Sequence, residues 1–519
     1  MADGASEATA WQQGGAHVDS RPEHPPRSGR EPERPGRPGR FLAATQALLL
    51  PLFPLAAGQE SEVARPGSAR AVAVRTAAPQ PARRRLGRVV IQVAIVGATA
   101  IALLLRVGGI PAWDSLYAED NGVFLVGALA HPWHLLAPYG GYEQLGPRVI
   151  GQLVASFLPL VYASDADAVA GALIASACAL FIYHASEGYI SSRWLRAMMA
   201  AALVLLPLAP LEIIDSGVNS PWYVVTTLFF AALWRPKSWP GLLAAALIAF
   251  WASSSEILAL LYAPLLLMRL VALPRWREHA VTAGWLAGLL VQVPVILDSY
   301  TQGSQRLRSG HLSNAGQVTA FYFHNVVLRA LGWKLSLHLI QVFGYNGATV
   351  VVGMALAAGI AWAMVAGGRP VRVFAVLALV AGFVETAVSA TITSYVNLQV
   401  PTWSFLPAAR YSTLPVVLID AIAIVGVDAY LRRHGPPRLR WRSPRHFGTR
   451  SLVAVGVLAC MLGLGWVTDF RYITQRESGG YWRTQATRWL DQCDQGQPGE
   501  ITIPAWDAKA TVECSRLRR

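Results

Sequence analysis

The sequence predicts an all-α, polytopic helical membrane protein, and three observations carry that prediction. The 519 residues are 54% hydrophobic and only 14% charged, where soluble domains average about 45–50% and about 25%. Mean hydropathy is positive, at +0.38. The apolar residues arrive in recurring runs of roughly 15–20, the length that crosses a hydrocarbon core as a helix. A soluble globular enzyme and a single-anchor protein are both excluded by that distribution. The net charge of +14 is concentrated in the first 90 residues and in Arg432–Arg450, beside apolar runs. Positive charge so placed marks the cytoplasmic flank of a span. No basic face with interleaved base-stacking aromatics is present, so nucleic acid is not an expected partner.

Taken in order, residues 1–88 read as a disordered basic extension. Arg21–Arg40 is mostly Pro, Gly, Arg and Glu, too polar to bury a core. Phe41–Ala57 is apolar but starts too late for a signal peptide, and Pro51 and Pro54 mark it as poorly structured. Val89–Leu105 is the first span, its start held in the cytoplasm by Arg83, Arg84, Arg85 and Arg88. Arg106–Arg148 is then external, and Val149–Tyr162 is an interfacial or re-entrant helix, because the acids Asp165 and Asp167 also belong outside. Ala168–His184 crosses to a loop bearing Arg193 and Arg196, Ala197–Pro210 crosses back, and Trp222–Trp234 returns to Arg235 and Lys237. Leu242–Leu267 has basic residues on both sides, which predicts a hairpin of two short helices turning at Ser253–Glu256. Ala280–Leu297 leads to a long external segment, Asp298–Tyr345. Ala348–Ala366 and Phe374–Ala390 enclose Arg369 and Arg372, Tyr411–Val427 returns to the most basic loop, and Leu452–Val467 is the last span. The expectation is about eleven crossings over residues 89–468, with the N-terminus cytoplasmic and a short external tail over 469–519.

Chemistry concentrates in the first external loop. Trp113–Gly122 holds Asp114, Glu119 and Asp120, three carboxylates within seven positions, beside aromatics. A partly desolvated carboxylate has a raised pKa and becomes a usable general base; the same acids also suit a loop that caps a helix starting near Gly122. External cations come next, because guanidinium forks hold phosphate oxygens in pairs: Arg148, Arg306, Arg308, Arg410 and, as an ammonium, Lys334. Arg410, followed by Tyr411, stands at the mouth of a span, where it either binds a lipid phosphate or snorkels beside an aromatic belt. Glu212 and Asp215 follow a span end and are further candidates. Glu256, Glu385 and Asp420 fall within apolar runs, where a carboxylate marks a polar cavity or ion path. Glu256 is expected at the hairpin tip, and Asp420 near mid-span. Cys178 and Cys460 read as small buried hydrophobes. Cys493 and Cys514, in an external tail, are placed to close a disulfide loop.

A span, an acidic first loop and two interfacial helices, Val123–Leu136 and Val149–Tyr162, resemble the GT-C superfamily of membrane glycosyltransferases. Within it, an actinobacterial-type branch of polytopic proteins has features similar to Ala118-Glu119-Asp120 followed by Phe124, to Pro138-Tyr139-Gly140-Gly141-Tyr142, and to Pro147-Arg148. Glu212 with Asn219 and Trp222, and Ala409-Arg410-Tyr411, match as well. The resemblance covers residues 89–519. It implies a GT-C-like fold, a polyprenyl-phosphate-linked sugar as donor, and a cell-envelope glycan or lipid acceptor on the external face of the cell membrane. It further implies Asp120 as base, with Glu119 and Asp114 as supporting or alternative groups. Arg410, Arg148, Tyr411, Glu212, Asn219, Arg306 and Arg308 would then bind substrate. No ligand spacing for a tightly bound metal or other cofactor is present, although the carboxylate cluster suits weak Mg²⁺ or Mn²⁺ binding. Membrane lipids are the remaining expected partner. Two other readings stand beside this one. A transporter or flippase would use the mid-span carboxylates, and an O-antigen polymerase or ligase-like enzyme would be built around Arg306, Arg308 and His311.

Overall fold

The computed structural model describes residues 44–54, 82–116, 119–207, 209, 213–301, 315–392, 406–434, 449–473, 480–495, 500–504 and 509–517. These form an all-α membrane protein with two small two-stranded sheets. The principal helices are α1 (Ala82–Leu104), α2 (Leu145–Phe157), α3 (Ala163–Ala185), α4 (Arg193–Val204), α5 (Ser220–Leu233) and α6 (Trp239–Ser255). They continue with α7 (Ala263–Ala272), α8 (Ala280–Thr301), α9 (Trp333–Ile392), α10 (Thr413–His434), α11 (Thr449–Thr468) and α12 (Trp482–Asp494). Among the described residues six helical stretches are long and apolar enough to cross a membrane; they fall on α1, α3, α8, α9, α10 and α11. Shorter apolar helices are Ser220–Leu233, Trp239–Ser255 and Ile257–Ala272.

The long α9 is not one rod but breaks at two glycines, Gly344 (φ 69°, ψ 170°) and Gly368; a first arm leads from Gly344 to Gly368 and a second from Gly368 to Ile392. Gly368 takes φ 70° and ψ −169°, outside helical space, and Arg372 Nε reaches back across the bend to Met364 O at 3.0 Å. Pro415 near the start of α10 lies against Gly382 in the second arm. Arg433 at its other end meets Val365 O and Gly368. Both arms therefore run along α10, with the bend at its basic end, which is the Gly-Arg-Pro turn that Arg369 and Arg372 predicted.

The expected hairpin between α6 and α7 is also present. Backbone geometry breaks at Glu256 (φ −146°, ψ 123°), and a 3₁₀ turn, Ile257–Tyr262, leads into α7. Both ends of the unit meet at one place, since Trp239 packs on Trp276 and Arg277 lies over both rings. Helix α8 runs parallel to α6 through small residues. A Cβ on Gly284 would stand 2.2 Å from Ala246 O, and one on Gly288 would stand 2.0 Å from Ser253 Oγ. This is close backbone approach through small residues spaced four apart, the usual way apolar helices pack where lipid removes the hydrophobic drive between them.

Buried polar staples fix the two ends of the bundle. At the basic end Asp428 accepts hydrogen bonds from Ser191 N, Ser191 Oγ and Ser192 N, and pairs with Arg432 at 3.1 Å. At the opposite end the fully buried Arg106 donates to Phe470 O, Val204 O and Leu206 O. It ties the ends of α1, α4 and α11 together beside the short parallel pairing of β1 (Val107–Gly108) with β2 (Tyr472–Ile473).

Three expectations change. The apolar stretch near the N-terminus is not loose throughout: Phe53 is 1% exposed, lies under Arg269, and its neighbour Leu52 accepts a hydrogen bond from Tyr189. Its apolar side chains find a crevice that local sequence does not reveal. The interfacial helix expected over Val123–Leu136 is a π-helical turn, Asp120–Leu125, and one α-helical turn ending at Ala130. Helix α4 stops at Val204, six residues short of Pro210, where its end is taken over by the Arg106 staple. The tail, for its part, is folded. Helix α12 and the antiparallel pair β3 (Glu500–Pro504) and β4 (Lys509–Glu513) are joined by the Cys493–Cys514 disulfide. Trp482 and Trp489 pack into a second core with Leu125, Ile150 and Val154.

Candidate functional site

At the end of the bundle opposite the Asp428 staple, five segments converge on a cleft of about 790 Å³ of non-atom space, open to solvent. They are the loop 119–144, the turn before α5, the Glu256 break, the second arm of α9, and the 3₁₀ turn before α10. The sequence explains how each is held. Asp120 is 3% exposed and accepts Ser216 Oγ–H and Val218 N–H, each at 2.6 Å. Asp167 Oδ2 accepts Gly217 N–H at 3.1 Å, and a Cβ on Gly217 would fall 2.3 Å from Asp167 Oδ1. The turn over 216–218 is thus clamped between two buried carboxylates, which sets Asn219 and Trp222 at the start of α5 in the cleft wall.

Tyr139-Gly140-Gly141-Tyr142 forms a tight reversal with Tyr139 N–H bonded to Tyr142 O at 2.9 Å. Its central residues have φ 67° and 94°, a conformation that glycine adopts without steric cost. The reversal presents both tyrosines to the cleft. Tyr139 OH donates to Glu119 Oε1 at 3.2 Å, Tyr142 OH donates to Glu256 Oε2 at 3.4 Å, and Gln144 Nε2 donates to Tyr142 OH at 3.1 Å. Glu119 Oε2 is buried with no hydrogen-bond partner among the described residues. On the far side Arg410 lies over the Tyr411 ring at 5.3 Å, and Tyr411 meets Trp222 edge-on at 5.3 Å. Deeper in, Ser389 of the wall donates to Glu385 Oε1 at 3.4 Å. Burial pushes the Glu256 carboxyl up to about 7, against the opposing pull of Leu258 N–H, Arg410 and Tyr142.

Of the residues given a catalytic or substrate-binding role from sequence, four share this cleft: Glu119, Asn219, Arg410 and Tyr411. Asp120 adjoins it but spends both oxygens on the 216–218 turn. Asp114 is elsewhere, accepting Arg483 N–H at 2.9 Å, while Arg483 pairs with Asp165 at 2.7 Å. Those acids anchor the tail. Arg148 is also turned away from the cleft: it pairs with buried Glu143 at 3.5 Å and lies over Phe124. Burial pushes that Glu143 carboxyl up to about 7 despite the attraction of Arg148, and Gln292 of α8 holds the Glu143 backbone by two bonds of 2.8 Å. Lys334 donates to Thr468 O at 2.6 Å. Glu212, Arg306, Arg308 and His311 lie outside the described residues.

Reasoning from sequence missed Gln144 and Ser389, and it noted Glu256, Tyr139 and Tyr142 without giving them a site role. The available signal was positional, since a carboxylate at a hairpin tip belongs to the same end of the bundle as the first loop. Among the described residues no three His, Cys, Asp or Glu side chains converge into a set able to hold a metal ion. The cleft therefore offers one carboxylate with an uncommitted oxygen, a guanidinium, amide groups and several aromatic faces. That combination suits a ligand with a hydroxylated ring and an anionic group. Comparison with family models, with curated proteins and with solved structures finds no match for the chain.

Proposed function

We propose that the protein is a membrane glycosyltransferase of GT-C-like architecture, with about eleven crossings. It moves a sugar from a polyprenyl-phosphate donor to a cell-envelope glycan or lipid acceptor. Arginine at the Asp428 end supports a cytoplasmic assignment for that end and an external one for the cleft and the tail. The observation that carries the reading is the joint presence of Glu119, Arg410 and the wall of Tyr139, Tyr142, Trp222, Asn219 and Gln144 in one cleft. In the proposed step the acceptor oxygen forms a bond to the anomeric carbon. The bond from that carbon to the phosphate oxygen breaks, and its electron pair leaves on the lipid phosphate beside Arg410. The acceptor proton goes to Glu119, whose other oxygen is held by Tyr139. Asp120 positions the wall instead of reacting, because both its oxygens are engaged. The remaining catalysis is placement and charge stabilisation.

The test is transfer by purified protein in nanodiscs, supplied with labelled polyprenyl-phosphate sugars and an envelope glycan extract. Glu119→Gln should lower transfer by about 10²–10⁴-fold, and Arg410→Ala should weaken donor binding. Absence of turnover with every donor, from protein that remains folded, would refute the proposal.

A further inference from the structure

Glu256 and Arg410 face the same cleft from different elements. Glu256 is 4% exposed, yet its hydrogen bonds from Tyr142 OH and Leu258 N–H are both 3.4 Å long, beyond the normal range for firm bonds. Ile257 N–H adds a smaller contribution, and electrostatic attraction to Arg410 supports the ionised form as well. The other titratable groups around it are Glu385 from the second arm of α9, close enough to repel it, and Glu119 elsewhere in the same cleft. An anion that docks on Arg410 thus enters a space already holding carboxylates, one of which, Glu256, is attracted to the same guanidinium.

We propose that Glu256 is the internal counter-ion of Arg410, and that a phosphate oxyanion binds to Arg410 together with one proton taken up at Glu256. This rests on the reading of Arg410 as the phosphate-binding group. Two negative charges sharing one guanidinium in a desolvated cleft repel each other strongly. The relief that costs least is to protonate the carboxyl that burial has already brought near neutrality. Protonation also converts Glu256 from an acceptor into a hydrogen-bond donor, so the group that would repel the phosphate becomes one of its ligands. By linkage, whatever raises proton occupancy at Glu256 strengthens anion binding by the same factor.

The test uses the full chain in phosphatidylcholine nanodiscs and two singly charged probes that do not titrate near neutrality, dimethyl phosphate and a polyprenyl methyl phosphodiester. Affinity is measured at pH 6, 7 and 8, and proton uptake by calorimetry in two buffers of different ionisation enthalpy. A carboxyl titrating near 7 goes from about nine-tenths to about one-tenth protonated across that range, so affinity should fall about tenfold. Glu256→Gln should bind with no pH dependence, and Arg410→Ala should not bind. Tyr142→Phe, which removes a bond favouring the ionised form, should shift the pH midpoint upward; this variant keeps the test open if Glu256→Gln folds poorly. Binding of the lipid probe alone points to a lipid headgroup, and binding of both shows that free phosphate chemistry suffices; either, with the expected slope, supports the proposal. A slope that survives in Glu256→Gln, a flat wild-type profile, or no binding of either probe overturns it. Proton-linked binding without sugar transfer would refute the glycosyltransferase reading and leave this one standing. Transfer with pH-independent binding would do the reverse.

Discussion

Asp120 and Glu119 are adjacent in sequence and opposite in predicted behaviour, which makes the pair the sharpest test of the site. Asp120 accepts two hydrogen bonds of 2.6 Å in a buried position. Bonds to a charged partner are worth about 1.5–3 kcal/mol each. Asn at this position keeps one carbonyl for Val218 N–H, and Ser216 can rotate to accept from the new amide, so both contacts survive without the charge. The expected loss is about 1–3 kcal/mol. Ala leaves a buried N–H and a buried hydroxyl without partners, for about 3–6 kcal/mol. Glu119 makes a single 3.2 Å bond to Tyr139, so Glu119→Gln should cost less than about 1 kcal/mol while removing the proton acceptor. The assays are reversible unfolding in mixed micelles and sugar transfer on the same preparations. Asp120→Asn should reduce both stability and transfer partially, and Glu119→Gln should lower transfer about 10²–10⁴-fold at near-wild-type stability. If Asp120→Asn abolishes transfer with an unchanged unfolding midpoint, and Glu119→Gln stays active, the roles are reversed and the reasoning from engaged oxygens is wrong.

Gly284→Ala should destabilise by about 1–3 kcal/mol, because its Cβ would meet the Ala246 carbonyl at 2.2 Å and backbone has no rotamer to yield; Gly97→Ala, with nothing within 4 Å, is the control and should be neutral or stabilising. The raised Glu143 carboxyl makes stability fully present below its ordinary value of 4.5 and lost as pH rises through about 7. Thermal unfolding between pH 5 and 8 should therefore show a decline that Glu143→Gln reduces. Cys493→Ala, opening a loop of sequence separation 21, should loosen the tail by about 3 kcal/mol in the chain-entropy account, read as faster proteolysis within 482–517. Asp420→Asn should leave transfer intact, since Asp420 is buried in α10 and does not line the cleft; dependence of function on Asp420 with none on Glu119 would favour a transporter.

What the sequence made legible was whatever depends on neighbours along the chain. The α6–α7 break was readable because basic residues flank both ends of an apolar run that holds Ser253-Ser254-Ser255-Glu256, and hydroxyls and a carboxylate end a helix by bonding its backbone. The turn at Gly368 was readable from Arg369 and Arg372 between two apolar runs. The end of the bundle where the site would lie followed from alternation of basic loops, which put Glu119, Arg410 and Tyr411 on one side of the membrane, while Asn219 entered only through the GT-C resemblance. Choosing among the candidates needed contacts that local sequence cannot encode. Asp120 and Glu119 have the same chemistry and adjacent positions; only the partner turn 96–98 residues away decides that one carboxylate is consumed and the other is not. Arg148 has every property of a phosphate ligand except a free face, because Glu143 and Phe124 occupy it. Glu256, expected at the hairpin tip, shares its cleft with Arg410, which stands 154 positions later in the sequence. These cases share one physical origin: a charged group's surroundings are fixed by what neutralises it, and in a helical bundle the neutralising partner is usually on another helix.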